Sequence, residues 1–478
     1  MTTPARPSSN EDTAQFVSLY QSQQKIYPRA VKGRFVSWRW AIVWLTQLVF
    51  YGLPWLAWNG RQAVLFDLGA RRFYIFGVVF YPQDFIYLTA LLVISAYALF
   101  LFTAVAGRLW CGYACPQTVY SEIFMWVERK FQGDRAARMK LDASPWSLAR
   151  IGRTGGKHAT WALIALWTGF TFVGYFTPIR TLANEVQALD LGTWEIFWVL
   201  FYGAFTYLNA GYMREQVCKY MCPYARFQSA MFDRDTLIVS YDTERGEPRG
   251  SRSKKADPKQ MGLGSCIDCN LCVQVCPTGI DIRKGLQYEC IGCAACVDVC
   301  DDVMSKMNYP KGLIRYDTEN GLERHLTRGQ LLRRVFRPRV LVYGSILLAI
   351  CVVAGYSIFT RPPFRVDVIR DRGTLARQVD DGYIENIYRL QIMNASEKAQ
   401  HYTVSAEGLS GLKLSTPVAV DIAPVESHWV SVALRVPPET AGTEKPGAHE
   451  VHFVIEQQAA GAEQAYTLRE KTTFMLPR

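Results

Sequence analysis

Histidine and cysteine are unevenly used in this 478-residue chain, and each distribution excludes a class of protein. There are six histidines, and none lies within a long apolar run, which argues against a membrane haem held by two imidazoles. No cysteine follows Cys351, so the last part of the chain has no disulfide framework. The other twelve of the thirteen cysteines form tight groups between Cys111 and Cys300, which is typical of metal or redox sites.

A cleavable signal sequence is also missing from the polar first residues, so we expect 1–36 to be a cytoplasmic segment. The formal net charge is +11, which could indicate nucleic-acid binding. The basic residues, however, concentrate in particular loops, with nine Lys and Arg in 108–158 and twenty in 214–337. By the positive-inside rule these loops face the cytoplasm and lipid headgroups, and we expect no nucleic-acid partner.

Five apolar windows have about the length of a membrane-spanning helix, for which about 20 residues are needed. They are residues 40–60, 85–107, 159–179, 196–213 and 340–360. Five spans place the residues after 360 on the opposite side from the N-terminus. A shorter apolar piece, 73–83, is interrupted by Gly77 and Pro82, and we interpret it as an interfacial or re-entrant segment.

The tail, 361–478, has a different pattern. Apolar and polar residues alternate in short stretches such as "HYTVSAEG" and "HWVSVALRV", and turn residues separate them. About seven strands at this spacing predict a β-sandwich that binds a partner or serves as a cap.

Two cysteine runs carry the clearest chemistry. "CIDCNLCVQVCP" at 266–277 and "CIGCAACVDVC" at 290–300 share the spacing of bacterial ferredoxins, in which the fourth cysteine of each run binds the other cluster. The pattern therefore predicts two [4Fe-4S] clusters. The ligands of the first are Cys266, Cys269, Cys272 and Cys300, and those of the second are Cys290, Cys293, Cys296 and Cys276. A zinc site would need only one or two C-x2-C pairs.

One position departs from the ferredoxin pattern, because Asp301 follows Cys300 where proline is usual. Since that proline is not a ligand, we expect an altered turn or potential and an intact cluster. Four apolar side chains are expected to shield the clusters from water. They are Ile267, Leu271, Ile280 and Ile291.

Two shorter cysteine pairs follow the second and fourth apolar windows. "CGYACP" at 111–116 and "CKYMCP" at 218–223 share Cys, Tyr, Cys and Pro, so they indicate an internal repeat of span, thiol pair and proline-started helix. Both pairs are predicted at the cytoplasmic membrane edge. The metal-binding and catalytic candidates are Cys111, Cys115, Cys218 and Cys222. Together these thiols could bind Cu(I), a further iron–sulfur cluster or zinc, or they could be inert buried cysteines.

This plan resembles the FixG/CcoG (RdxA-like) cytochrome oxidase accessory proteins, and the resemblance extends over essentially the whole chain. It implies a polytopic α-helical membrane protein of five spans, an inserted bacterial-type 2[4Fe-4S] ferredoxin domain and a C-terminal immunoglobulin-like β-sandwich. The expected divisions are an N-terminal segment (1–36), a four-span domain (37–230), a ferredoxin-type domain (231–337), a fifth helix (338–360) and a periplasmic sandwich (361–478).

The resemblance further implies a cupric reductase of the bacterial inner membrane that supplies Cu(I) for assembly of cbb3-type cytochrome c oxidase. Its expected partners are oxidase assembly factors, copper chaperones and a cytoplasmic electron donor. Its expected cofactors are two [4Fe-4S] clusters, with copper at the four membrane-edge thiols. Two alternatives stay open: a quinol-linked electron carrier of the NapH type, and a non-enzymatic assembly scaffold.

Overall fold

The structure is a computed structural model that describes residues 25–254, 256–257, 260–371, 373, 376–458 and 465–477. The N-terminal segment predicted at 1–36 therefore lies mostly outside the described residues. The helices of the described part are α1 (Arg34–Gly52), α2 (Phe85–Ala106), α3 (Leu109–Tyr113), α4 (Pro116–Gln132), α5 (Arg135–Ala143), α6 (Leu148–Val173), α7 (Ile179–Ala188), α8 (Thr193–Tyr207), α9 (Pro223–Met231), α10 (Thr243–Gly246), α11 (Leu271–Gln274), α12 (Ala295–Met307), α13 (Glu319–Glu323), α14 (Arg328–Val335), α15 (Pro338–Phe359) and α16 (Pro438–Thr443).

The strands fall into three regions of the chain. Those before the second helix are β1 (Ala57–Trp58), β2 (Arg61–Gln62), β3 (Val64–Asp67), β4 (Arg72–Ile75) and β5 (Val78–Phe80). The cysteine-rich region contains β6 (Ile238–Tyr241) and β7 (Ile314–Asp317). The tail contains β8 (Phe364–Arg370), β9 (Arg377–Gln378), β10 (Ile384–Asn394), β11 (Gln400–Glu407), β12 (Lys413–Leu414), β13 (Val418–Ile422), β14 (Ser427–Val436), β15 (Gly447–Gln457) and β16 (Tyr466–Leu476).

Two helical segments in the described chain are long and apolar enough to cross a membrane. They are Pro82–Ala106, which contains α2, and Pro338–Phe359, which is α15. Neither is buried inside the protein, and side chains such as Leu92 and Val353 are more than 60% exposed. Exposed apolar surface of this extent is typical of contact with lipid. The second and fifth predicted windows are thus helices that fit a membrane.

Each of the other three predicted windows overlaps a helix, but the apolar residues of the window continue past the C-terminal end of that helix. Helix α1 ends at Gly52, where a 3₁₀ turn (Leu53–Trp55) begins. Helix α6 ends at Val173, and α8 passes at Leu208 into a π-helix (Leu208–Met213). The count of five spans is therefore not confirmed.

Helices α2 and α15 run side by side and join two ends of the molecule. At one end, Arg337 donates to the Ala104 carbonyl at 2.7 Å, next to the cysteine-rich region. At the other end, the Tyr87 hydroxyl donates to the Ser357 carbonyl at 3.1 Å, next to the tail. A helix of about 22 residues spans roughly 33 Å. The cysteine-rich region and the tail thus lie on opposite sides of the helical part.

The segment 73–83, predicted to be interfacial or re-entrant, consists largely of β-strands, and its interfacial position stays a prediction. Strands β4 and β5 within it pair with each other and with β3 in an antiparallel sheet. Val79 and Tyr81 from this segment pack against Met393 of the tail. Gly77 lies in the turn between β4 and β5, so the apolar residues on either side of it form a hairpin. The small sheet that results supports the tail domain.

The tail is a sandwich of two antiparallel sheets, as the alternation predicts. One sheet has the order β12-β14-β10-β8, with β9 on β10, and the other has the order β13-β11-β15-β16. Tyr388 and Phe453, one from each sheet, meet edge to face with ring centroids 5.2 Å apart. Both side chains are fully buried, so inward-facing residues of the two sheets form one core.

Candidate iron–sulfur centre

The two cysteine runs adopt the same loop backbone. In the first, Asp268 and Asn270 have positive φ angles of 50° and 56°, and in the second, Gly292 and Ala294 have values of 67° and 57°. These pairs occupy equivalent places between the cysteines. Left-handed residues that alternate in this way turn successive backbone N–H groups to one side, which makes an anion-binding concavity typical of Fe–S sites. The loops are therefore suited to a negatively charged cluster.

The eight ferredoxin cysteines divide into two sets of four, each around its own cavity. The first cavity is lined by Cys266, Cys269, Cys272 and Cys300, with Ile267 and Leu271. The second cavity is lined by Cys276, Cys290, Cys293 and Cys296, with Ile280 and Ile291. Cys272 stands at the wall that the cavities share. The structure thus places Cys300 with the first run and Cys276 with the second, and the donor sets fit two cubane clusters.

Asp301 changes the helix that carries the fourth cysteine. After the first run, Pro277 follows Cys276, and α11 has already ended at Gln274. After the second run, α12 continues through Cys300 to Met307. The Asp301 carboxylate accepts a hydrogen bond from the Gly312 backbone N–H at 2.8 Å. Asp301 thus lies within a continuous helix and ties that helix to the loop before β7.

Each membrane-edge thiol pair sits at a break between two helical pieces. Cys111 lies in α3, and Cys115 is the extended residue that precedes the proline-started helix α4. Cys218 lies in a short π-helix (Val217–Met221), and Cys222 is the extended residue before α9, which also begins with proline. A helical piece thus ends between the two cysteines of each pair, and the two halves of the chain repeat the same break.

The four thiols interact electrostatically with one another. Beyond the effect of burial, a negative charge on Cys115, Cys111 or Cys222 would raise the pKa of the Cys218 thiol further. Burial raises the pKa of Cys111 to about 11 and that of Cys218 to about 12, so both hold a proton at neutral pH until a cation displaces it. Among the described residues, no three His, Cys, Asp or Glu side chains converge on a position for a single metal ion. Metal binding by these thiols therefore stays a prediction.

The first thiol pair packs directly on the second cluster loop. A Cβ added to Gly112 would lie 2.8 Å from the Ile291 carbonyl oxygen and 2.9 Å from Cys293 Cα. In return, a Cβ added to Gly292 would lie 3.2 Å from the Arg108 carbonyl oxygen. Cys111 and Cys218 share one apolar cluster with Cys293 and Cys296. Helix α3 and the second cluster loop are thus in backbone contact.

Two buried arginines from the helical part reach this contact. Arg39 in α1 forms an ion pair with Glu122, and its guanidinium lies near enough to Cys293 for a charge on that sulfur to stabilise it. Arg108, at 6% exposure, donates to the carbonyl oxygens of Cys290 and Ala225. Sequence reasoning missed both arginines, since Arg108 was counted only among the basic residues that indicate topology. The position of Arg108, three residues before Cys111, was the available signal.

Comparisons with known proteins agree with this geometry. A 4Fe-4S dicluster domain model matches residues 213–319, and a 4Fe-4S binding domain model matches 88–133. The model of the Ig-like fold at the C-terminus of FixG matches 354–477. The second of these matches contains Cys111 and Cys115 and no other cysteine.

Full-length relatives extend the agreement to most of the chain. The nitrogen fixation protein FixG of Rhizobium meliloti is 39% identical over 82% of this chain and 80% of its own length. Proteins RdxA and RdxB of Cereibacter sphaeroides are 38% and 40% identical, each over 83% of this chain and 85% of its own length. With its dicluster domain and FixG-type tail, the chain belongs to the FixG family of iron–sulfur redox proteins.

Proposed function

We propose that this protein is an inner-membrane cupric reductase. Electrons from a cytoplasmic donor reach the four membrane-edge thiols by way of the two cluster sites, and each Cu(II) takes one electron to become Cu(I). The Cu(I) product serves assembly of a cbb3-type cytochrome c oxidase through copper chaperones. The observation that carries the proposal is the backbone contact between Gly112, inside the first thiol pair, and Cys293 of the second cluster set.

The burial of the ligands supports an order for the route. Cys269 of the first set is exposed, whereas Cys293 of the second set is buried under α3. A donor would therefore meet the first set, and the second set would face the thiols. When bound, the two [4Fe-4S] clusters supply one-electron transfer. Cys111 and Cys218 supply soft thiolate sulfur, which favours Cu(I) over Cu(II) and so makes the reduction easier.

The charge distribution supports an orientation with five spans. The end of α2 that contacts the cysteine-rich region is followed by the basic loops, which the positive-inside rule assigns to the cytoplasm. The sandwich is then periplasmic, where it would meet oxidase assembly factors. Helices α1, α6 and α8 would complete the spans together with their non-helical ends.

The test is anaerobic and uses the purified, cluster-loaded protein. We would reduce the clusters, add Cu(II), and follow cluster reoxidation against Cu(I) trapped by a chromogenic chelator. We expect the wild-type protein to form stoichiometric Cu(I). Cys111→Ser or Cys222→Ser should slow the rate of Cu(I) formation at least tenfold and leave the cluster absorbance unchanged. Cys351→Ser is the matched control, because it removes a thiol from α15 outside the four-thiol group. Unchanged rates in the first two variants would exclude the thiols from the reaction.

The quinol-linked alternative has less support. The aromatic cavity lined by Phe172, Trp194 and Trp198 is also lined by Asp67 of β3, in the small sheet that supports the tail domain. It therefore lies at the sandwich end of the helices, roughly 30 Å from the cysteines by the length of α2. Reduction of the clusters by an added quinol would favour this alternative, and oxidase-subunit binding without any turnover would favour a scaffold.

A further inference from the structure

Arg108 is a buried cation whose counter-charge is not a carboxylate. It is 6% exposed, and its Nε atom has no hydrogen-bond partner. Its other nitrogens donate only to the carbonyl oxygens of Ala225 and Cys290, and no carboxylate of the described residues forms an ion pair with it. A buried charge of this kind is costly unless an opposite charge faces it.

The groups around Arg108 are the cysteines of two different sets. Its guanidinium donates to the Cys290 carbonyl at 3.5 Å, and a negative charge on Cys111, Cys218 or Cys222 of the thiol pairs or on Cys290 of the second cluster set would stabilise it. A cubane cluster on four thiolates carries a net negative charge. The second cluster, together with thiolates that bind a metal, would therefore supply the missing counter-charge.

The first cluster site has a different arrangement. Arg283 lies near Cys272 there, but Asp281 at 2.8 Å and Asp268 at 2.5 Å already neutralise it. The second site has Arg39, which pairs with Glu122, and in addition Arg108, which has no carboxylate partner among the described residues, whereas Arg283 at the first site has two. Because a fixed positive charge stabilises the more negative, reduced form of a cluster, the two sites should differ in potential.

We propose that Arg108 is a positioning residue that provides the shared counter-charge of the second cluster and the thiol pairs, and that it raises the reduction potential of the second cluster above that of the first. The inference rests on the proposed ligand set of the second cluster. It does not depend on copper as the acceptor. A higher potential at the second site would direct electrons toward the thiols.

The experiment is a redox titration of the full-length, cluster-loaded protein followed by electron paramagnetic resonance. Cys269→Ser, at the exposed ligand of the first set, identifies the signal of the first cluster. We expect Arg108→Gln to lower the ratio of reduced to oxidised second cluster at least tenfold at a fixed potential, which is ~59 mV for one electron. The first cluster should keep its potential, and Arg108→Lys should keep most of the wild-type potential at the second.

Arg337→Gln is the matched control. Arg337 is also a mostly buried arginine at this end of the helices, but it pairs with Asp233 at 3.0 Å, so both potentials should stay unchanged. A second cluster that assembles with Arg108→Lys and not with Arg108→Gln would also support the proposal. An unchanged second potential in Arg108→Gln, an equal shift of both clusters, or failure of both variants to assemble the second cluster would overturn it. Copper reduction is not measured, so these outcomes are independent of the proposed reaction.

Discussion

At the scale of single residues, Gly112 decides how closely the thiol pair approaches the second cluster loop. Backbone atoms of Ile291 and Cys293 occupy the place of a side chain, and backbone cannot move aside as a flexible side chain can. We expect Gly112→Ala to separate α3 from the loop, to cost about 1–3 kcal/mol, and to slow cluster reoxidation by Cu(II).

The measurement for Gly112→Ala combines stopped-flow reoxidation with iron content. Gly329→Ala is the control, because Gly329 lies in α14 with open space at its Cβ position and alanine favours a helix there. Wild-type rates in Gly112→Ala would mean that the close contact is not needed for electron transfer.

At the scale of elements, a carboxylate of the cysteine-rich region caps the first helix of the chain. Asp298 in α12 accepts hydrogen bonds from the backbone N–H groups of Phe35 at 3.2 Å and Val36 at 2.8 Å. Free N–H groups at a helix start need such partners. We expect Asp298→Ala to cost about 1 kcal/mol and to speed amide exchange at the start of α1, measured by hydrogen–deuterium exchange. Asp302→Ala, an exposed site in the same helix, should leave that exchange unchanged; equal effects would contradict the cap.

Glu128 holds four segments together. Its buried carboxylate lies 2.9 Å from Arg138 of α5, 3.1 Å from Arg214 and 3.9 Å from Lys157 of α6. Burial alone would raise the pKa of Glu128, but the three cations hold that pKa below its usual value. Removal of the carboxylate charge would leave these cations buried and unpaired. We expect Glu128→Gln to lower the free energy of unfolding by about 3–5 kcal/mol, measured by thermal unfolding in detergent.

The same carboxylate predicts a pH dependence. Because its pKa is lower in the folded protein, its stabilisation is complete above the usual glutamate value of 4.5 and is lost as the pH falls further toward the folded value. The unfolding temperature of the wild-type protein should therefore fall more steeply below about pH 4.5 than that of Glu128→Gln. Parallel profiles would show that Glu128 is not the group responsible.

At the scale of the whole molecule, one buried carboxylate attaches the sandwich to the helices. Asp84, just before α2, pairs with Arg361 and, at 2.9 Å, with Arg365 at the start of the tail domain. We expect Asp84→Asn to loosen the sandwich and to speed limited proteolysis near residues 360–364, with iron content unchanged. Glu397→Gln removes the more exposed pair with Arg61 and should have a smaller effect, about 1 kcal/mol or less. Equal proteolysis in both variants would contradict this role for Asp84.

Much of this organisation could be predicted from local sequence. Ligand spacing is a property of a few consecutive residues, so the runs at 266–277 and 290–300 predicted two cluster-binding loops. A family model confirms a 4Fe-4S dicluster domain. Alternation with a period of two predicted the sandwich, because side chains alternate across a strand. Apolar length alone was less reliable. The window 40–60 predicts one span, and α1 covers this window only as far as Gly52, before a 3₁₀ turn and a β-hairpin, so that span stays a prediction.

Contacts between distant segments could be decided only by the tertiary structure. Arg108 and Cys290 are 182 residues apart, and nothing local to either marks the other as its neighbour. The same holds for Gly112 against Cys293, and for Asp298 at the start of α1. By itself, the sequence determined which atoms can bind iron and which segments prefer lipid, since both depend on side-chain chemistry and short periodicity. Where those atoms meet depends on the packing of α3 against the second cluster loop. Only the tertiary structure determines this packing, because the whole fold sets how closely the two backbones approach.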